Sequence, residues 1–236
     1  MRPSLFRSAC ILVLVLLAVP FVSAQEASHV ESPDANLAPA DFTDIVKGAW
    51  IFLKNETESY LNNTAKKTEF ETTQEFEKRV ADLRKKYLDN IAKFSNDKKF
   101  DKREFGVLFK ANLLSYDADS KTYTVSSNTT VEMPYDIPYL QVNMTNNALV
   151  ALTDSVARGY RSTTMFLKMK PPLHYEVPLD MAKTAKADQG DLYFRVKLTF
   201  TMLQENFTKQ AQMTFASHYI ELFNRRTNLV YWESNL

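Results

Sequence analysis

The groups able to do acid–base chemistry in this chain are few and far apart: the three histidines are His29, His174 and His218. His174 stands in P-P-L-H-Y-E-V-P beside Tyr175 and Glu176. A histidine next to a carboxylate works as a general base when a nucleophile lies within hydrogen-bond reach. On a strand, however, His174 and Glu176 share one face and Tyr175 turns to the other, so the pair is expected on a solvent face. His218 falls where the apolar phase slips from Ala211, Met213 and Phe215 to His218, Ile220 and Leu222. A slip in a period-two pattern marks a β-bulge, and bulges re-aim side chains beside sites. A pocket near His218 or His174 would make the chain a hydrolase or a domain that holds an apolar ligand.

A second kind of chemistry is stacking. Tyr135, Tyr139, Tyr175, Tyr231 and Trp232 lie in extended runs with polar neighbours. Aromatic faces of this kind pack on sugars and peptides and are enriched at interfaces. Together with His218 they form the candidate binding set. No metal is expected, because the chain holds no His-x-His and no H-E-x-x-H. Asp117 and Asp119 resemble the opening of a calcium loop, but the remaining ligands and the central glycine are missing, so they read as turn formers. Sequons begin at Asn55, Asn62, Asn128, Asn143 and Asn206.

Composition removes other chemistries. The four glycines, Gly48, Gly106, Gly159 and Gly190, stand singly, so neither a dinucleotide turn nor a phosphate-cradling loop is present. No G-x-S-x-G elbow occurs. No cofactor is implied. At the amino end, Arg2 and Arg7 precede the apolar run that opens at Cys10, and Ser23-Ala24-Gln25 follows. This reads as a cleavable secretory signal cut after Ala24, since the run is shorter than the roughly 20 residues a spanning helix needs. Removing Arg2 and Arg7 from 29 basic residues leaves 27 against 28 acidic ones, so charge implies no nucleic-acid partner. Cys10, the one cysteine, leaves with the signal, which excludes disulfides and thiolate sites from the mature chain. The expected location is periplasmic or extracellular, with the membrane met only through the signal segment before cleavage.

The elements that must carry these residues are organised around Asp191 to Leu203. There Leu192, Phe194, Val196, Leu198, Phe200 and Met202 alternate with Tyr193, Arg195, Lys197, Thr199 and Thr201. That is the period of a strand with one buried and one wet face. Residues 25–40 read as a flexible tether. From Asp41, placed to cap it, a helix with the stripe Phe42, Ile45, Val46, Ala49, Phe52 and Leu53 is predicted to about Leu61. Gly48 in that helix leaves room for another element to approach. A capping box at Thr72 and Glu75 starts a second helix, predicted over Thr73 to Phe94. Beyond it strands dominate, among them 105–114 with a hairpin partner at 122–127, an edge strand through Pro134 and Pro138, and a last strand from Leu229. A short helix is predicted over Asn146 to Arg158 and another over Met181 to Ala187. The prediction is a single α+β domain over 41–236, with two amphipathic helices packed on a mainly antiparallel sheet of about six to eight strands.

The run F-E-T-T-Q-E-F-E-K-R-V (Phe70 to Val80) and the later Y-D-A-D-S-K-T-Y-T-V (Tyr116 to Val125) resemble a module of secreted bacterial proteins of uncharacterised function. In that module, too, an E-T-x-x-E-[FY]-x-x-R helix precedes a β-rich half. The resemblance implies export and an α+β build, and carries over no catalytic residue. Two functional expectations stand. One is a non-enzymatic envelope protein that binds another envelope protein, a peptide or a glycan through an aromatic-bearing sheet face. The other is the hydrolase or apolar-ligand pocket at His218 or His174.

Overall fold

The computed structural model describes residues 32–100, 102–134, 140–145, 149–154, 164–170, 172–202 and 211–236. Two long helices come first, α1 (Pro39–Thr64) and α2 (Thr73–Lys98). Strands β1 (Phe105–Lys110), β2 (Asn112–Asp117), β3 (Thr122–Ser126), β4 (Thr130–Pro134), β5 (Leu140–Met144), β6 (Val150–Asp154), β7 (Thr164–Met169) and β8 (Leu173–Glu176) follow. Then come a short helix, α3 (Leu179–Ala187), and strands β9 (Leu192–Thr201), β10 (Ala211–Asn224) and β11 (Val230–Asn235). The fold is α+β. Its strands divide among three sheets rather than one, because the chain turns corners at Ala111 and between β3 and β4 with no helix between.

The alternation in 192–201 is realised in β9, which is paired on both sides, with β1 and with β10, antiparallel to each. Leu192, Phe194, Val196, Leu198 and Phe200 are fully buried, while Tyr193, Arg195, Lys197, Thr199 and Thr201 lie on the outer side. β10 carries β5 in parallel along its first part and β11 antiparallel along its second. Its pairing with β9 shifts between Ser217 and Tyr219, the bulge that the phase slip at His218 predicts. The inner face is covered by α1, whose Phe42, Val46, Ala49 and Leu53 recur at helical spacing and are buried. Phe42 meets Phe105 edge-on at 5.6 Å, and Phe200 lies 4.5, 5.4 and 5.5 Å from the rings of Phe100, Phe105 and Phe215. β2, β3 and β8 form a second sheet, and β4, β7 and β6 a third, with β4 at the edge that Pro134 requires.

The capping box holds. Thr72 Oγ1 accepts from the Glu75 amide at 3.2 Å, and the Thr72 amide donates to Glu75 Oε2 at 2.8 Å. Four residues further on, Arg79 donates to Glu71 through Nε and Nη2 and also to the carbonyls of Asn63 and Lys66 at the end of α1. The E-T-x-x-E-F-x-x-R signature is therefore a fastening between the two helices. The hydrogen bond from this guanidinium is the main reason the Glu71 carboxyl drops from its ordinary 4.5 to about 2; the Thr68 amide and the charges of Arg79 and Lys67 add to it, and together they outweigh the cost of desolvation. α2 runs one turn beyond the predicted Phe94 and ends at Lys98, capped by Lys99, which adopts φ 57°. That turn delivers Phe100 into the core.

Several expectations need correction. Residues 32–40 are not tether: Asp34, buried, pairs with Arg103, and the Gly106 amide donates to the Asp34 carbonyl at 2.8 Å. Leu37 bridges to Val107, its amide donating to Gly106 and its carbonyl accepting from Leu108. The segment holds on through backbone bonds along the edge of β1, which leave no apolar period to read. α1 starts at Pro39 with Ala38 as its N-cap and no side-chain cap, so Asp41 sits in the first turn, where it favours the helix dipole. A side chain at Gly48 would meet open space rather than a close neighbour. Val150–Asp154 is a strand paired with β7, not part of a helix over 146–158. α3 begins two residues before the predicted Met181, and β11 ends at Asn235.

Candidate functional site

Of the aromatic residues singled out from sequence, Tyr135 and Tyr139 lie outside the described residues. So do His29, the signal segment 1–24 and the front of the tether. Tyr175 is 3 % exposed and stacks on Tyr123 at 6.2 Å, with its ring in the core. It cannot offer a face to a ligand, and burial pushes its phenol up to about 12. The strand period already placed it opposite His174 and Glu176, and the burial follows from that phase. Tyr231 and Trp232 are half-buried against the core, and the Tyr231 hydroxyl donates to Asp188 at 2.8 Å. Both belong to packing more than to display.

His174 and Glu176 do share an exposed face, and His174 Nδ1 lies 3.1 Å from Thr124 Oγ1. His218 projects from the bulge onto Glu104, with Nε2 to Oε2 at 2.5 Å, and Lys197 Nζ reaches the other oxygen at 3.4 Å. Their side chains are 42, 46 and 36 % exposed, so this is a surface cluster rather than a pocket. Burial by itself would raise the Glu104 carboxyl, but the hydrogen bond and charge of His218 and the charge of Lys197 together hold it below its ordinary range. Among the described residues no set of three metal-binding side chains converges. Asp117 accepts from the amides of Asp119 and Ser120, an Asx turn rather than a calcium loop.

The cluster belongs to a larger surface, the outer side of β1, β9, β10 and β11. Register sets Tyr193 opposite Phe223, Arg195 opposite Glu221 and Lys197 opposite Tyr219. Cations and aromatic rings consequently interleave. Lys110 and Arg225 lie over the Tyr193 ring at 4.4 and 5.5 Å, Arg195 over Phe223 at 4.2 Å, and Lys197 over Tyr219 at 5.0 Å. Arg195 is also paired with Glu221 at 2.8 Å, both shielded from water. The single proton of the Tyr219 hydroxyl is shared between Glu233 at 2.5 Å and Glu221 at 3.0 Å, and burial together with these carboxylates raises its pKa. The arrangement is pre-set: the buried pair fixes the rings, and the exposed cations and Glu104 stand at the rim. It can bind aromatic, polar or charged groups laid across the strands.

Tyr193 and Tyr219 were not among the sequence candidates. The signal was present for both: Tyr193, Arg195 and Lys197 form the wet phase of the central strand, and the phase after the bulge carries Tyr219, Glu221 and Phe223. Only the cross-strand register joins them.

No family model matches this chain, and no curated protein or solved structure matches it.

Proposed function

We propose that this is an exported, non-enzymatic binding protein of the cell envelope or its surroundings, acting through the outer face of the central sheet around Tyr193, Lys197, His218 and Tyr219. The observation that carries the reading is the row of cation–ring contacts there, held in register by β9 and β10. Rings pre-ordered in this way lose little freedom on binding, so a strand-like peptide or a glycan chain is the occupant that fits. Export rests on the basic and apolar leader with its small-residue cut site. The test is binding of the full chain to arrayed peptides and glycans, repeated with Tyr193→Ala and Tyr219→Ala combined. Retained binding to a given array member with unchanged affinity would remove the face from consideration.

A further inference from the structure

We propose that the far end of the α1–α2 hairpin holds a second site, a cleft for a small neutral polyhydroxylated ligand of the mono- or disaccharide class. α1 lines it with Glu56, Ser59, Tyr60 and Asn63, and α2 with Leu83, Lys86, Tyr87 and Asn90. Each set steps by three, one and three residues, the spacing at which packed helices present their facing side chains. Such seams are ordinarily apolar, and nearer the sheet this one is: Phe52 stacks on Phe94 at 3.9 Å, and Leu53 and Ile91 are buried. Beyond Leu53 the seam turns polar and opens into a cavity of about 350 Å³. That is within the range of small-molecule sites, roughly 300–1,000 Å³, which occur between the helices of bundles.

The lining defines the ligand. Tyr60, half-buried, is the ring a sugar can pack against, and Tyr87, buried behind it at 5.2 Å and 32°, holds it in place. In the cleft the part-buried Asn90 amide donates to Glu56 Oε2 at 2.8 Å, and in the buried seam the hydroxyls of Thr57 and Tyr87 share a bond of 3.0 Å. These bonds hold the groups in place without closing the space. Ser59, Asn63 and Lys86 at the exposed mouth add a hydroxyl, an amide and an ammonium. Donors and acceptors are mixed, and the charges of Glu56 and Lys86 offset each other, which favours a neutral ligand rich in hydroxyls over a phosphate. Arg79, clamped to Glu71, holds the Asn63 carbonyl and so fixes the rim.

The test is titration of the full chain with glucose, galactose, mannose and N-acetylglucosamine and with their β-1,4 disaccharides. The side-chain amide resonances of Asn63 and Asn90 are followed by NMR. Saturable shifts of both are expected with at least one sugar. Glu56→Leu combined with Asn90→Leu refills the seam, and affinity is expected to fall about tenfold or more, since a site built for hydroxyls is replaced by an apolar one. Ser59→Ala with Lys86→Ala, at the exposed mouth, is expected to weaken binding while leaving the hairpin folded, so the measurement survives a failure of the first variant. Tyr193→Ala is expected to leave these shifts unchanged, which separates this site from the outer sheet face. No saturable shift with any of the sugars, or undiminished binding in either double variant, overturns the proposal.

Discussion

Arg79 and Glu71 meet through two parallel bonds, Nε to Oε1 at 2.7 Å and Nη2 to Oε2 at 2.8 Å, with the same guanidinium also donating to the Asn63 carbonyl in the last turn of α1 and to the Lys66 carbonyl just beyond it. Because Glu71 is held at about 2 against an ordinary 4.5, the clamp's contribution is complete above the ordinary value and is lost as pH falls toward the lower one. Thermal melts are expected to show Arg79→Ala destabilised at neutral pH, with the gap to the parent chain closing through that acid window. Arg79→Lys is expected to recover only part, since a single ammonium cannot make the forked contact. A gap that stays constant with pH would show the pair to be idle.

Two glycine substitutions are expected to act in opposite directions. A Cβ on Gly106 would lie 2.0 Å from the Ala35 carbonyl oxygen, which is backbone and cannot give way. Gly106→Ala is therefore expected to lift residues 32–37 off β1, read as faster amide exchange at Leu37 and Leu108. Gly48→Ala meets nothing within 4 Å on the exposed side of α1 and is expected to stabilise the chain by about 1 kcal/mol. Urea titration measures both.

The two faces of β9 are expected to separate stability from binding. Phe200 is fully buried among three other rings, so Phe200→Ala is expected to cost about 3–5 kcal/mol in denaturant unfolding. Tyr193→Ala, on the outer side, gives up only its contacts to Lys110 and Arg225 and is expected to cost roughly 1 kcal/mol or less. Equal losses from the two would contradict the division of the strand into an inner and an outer side.

Glu104 ties the entry of β1 to the bulge of β10 through His218 and Lys197. Its carboxyl lies below the ordinary range, so its contribution is present at neutral pH and fades as acid protonates it. Glu104→Gln is expected to change stability little at pH 7, because the group is half exposed, and to flatten the acid limb of the melting profile. A carboxyl titration by NMR that places Glu104 at or above its ordinary value would overturn this.

What could be read from the sequence was whatever repeats along one element. The alternation of β9, the stripe of α1, the cap at Thr72 and the phase slip at His218 all announce themselves within a few residues. The sheet change at Ala111 did not, because β1 and β2 share one apolar phase and the corner lies in the pairing partners. The strand at Val150–Asp154 was misread as helix because its evidence is β7, which supplies the ladder. The outer face was half legible: Tyr193 and Lys197 stood in the wet phase, but their neighbours Tyr219 and Arg225 come from another strand and a turn. Tyr175 was misjudged because polar neighbours in sequence say nothing about which side of a strand is covered.

The order in which the strands occur has a kinetic price. Phe105 finds its partner only when Leu198 has been made, and β9 in turn needs β10, so the main sheet cannot assemble until nearly the whole polypeptide has left the ribosome. Helices α1 and α2 can form early and pack on each other, and α1 on β4, but β9 and β10, which complete the core, come last. A nascent chain of this design therefore completes its core only near the end of its synthesis.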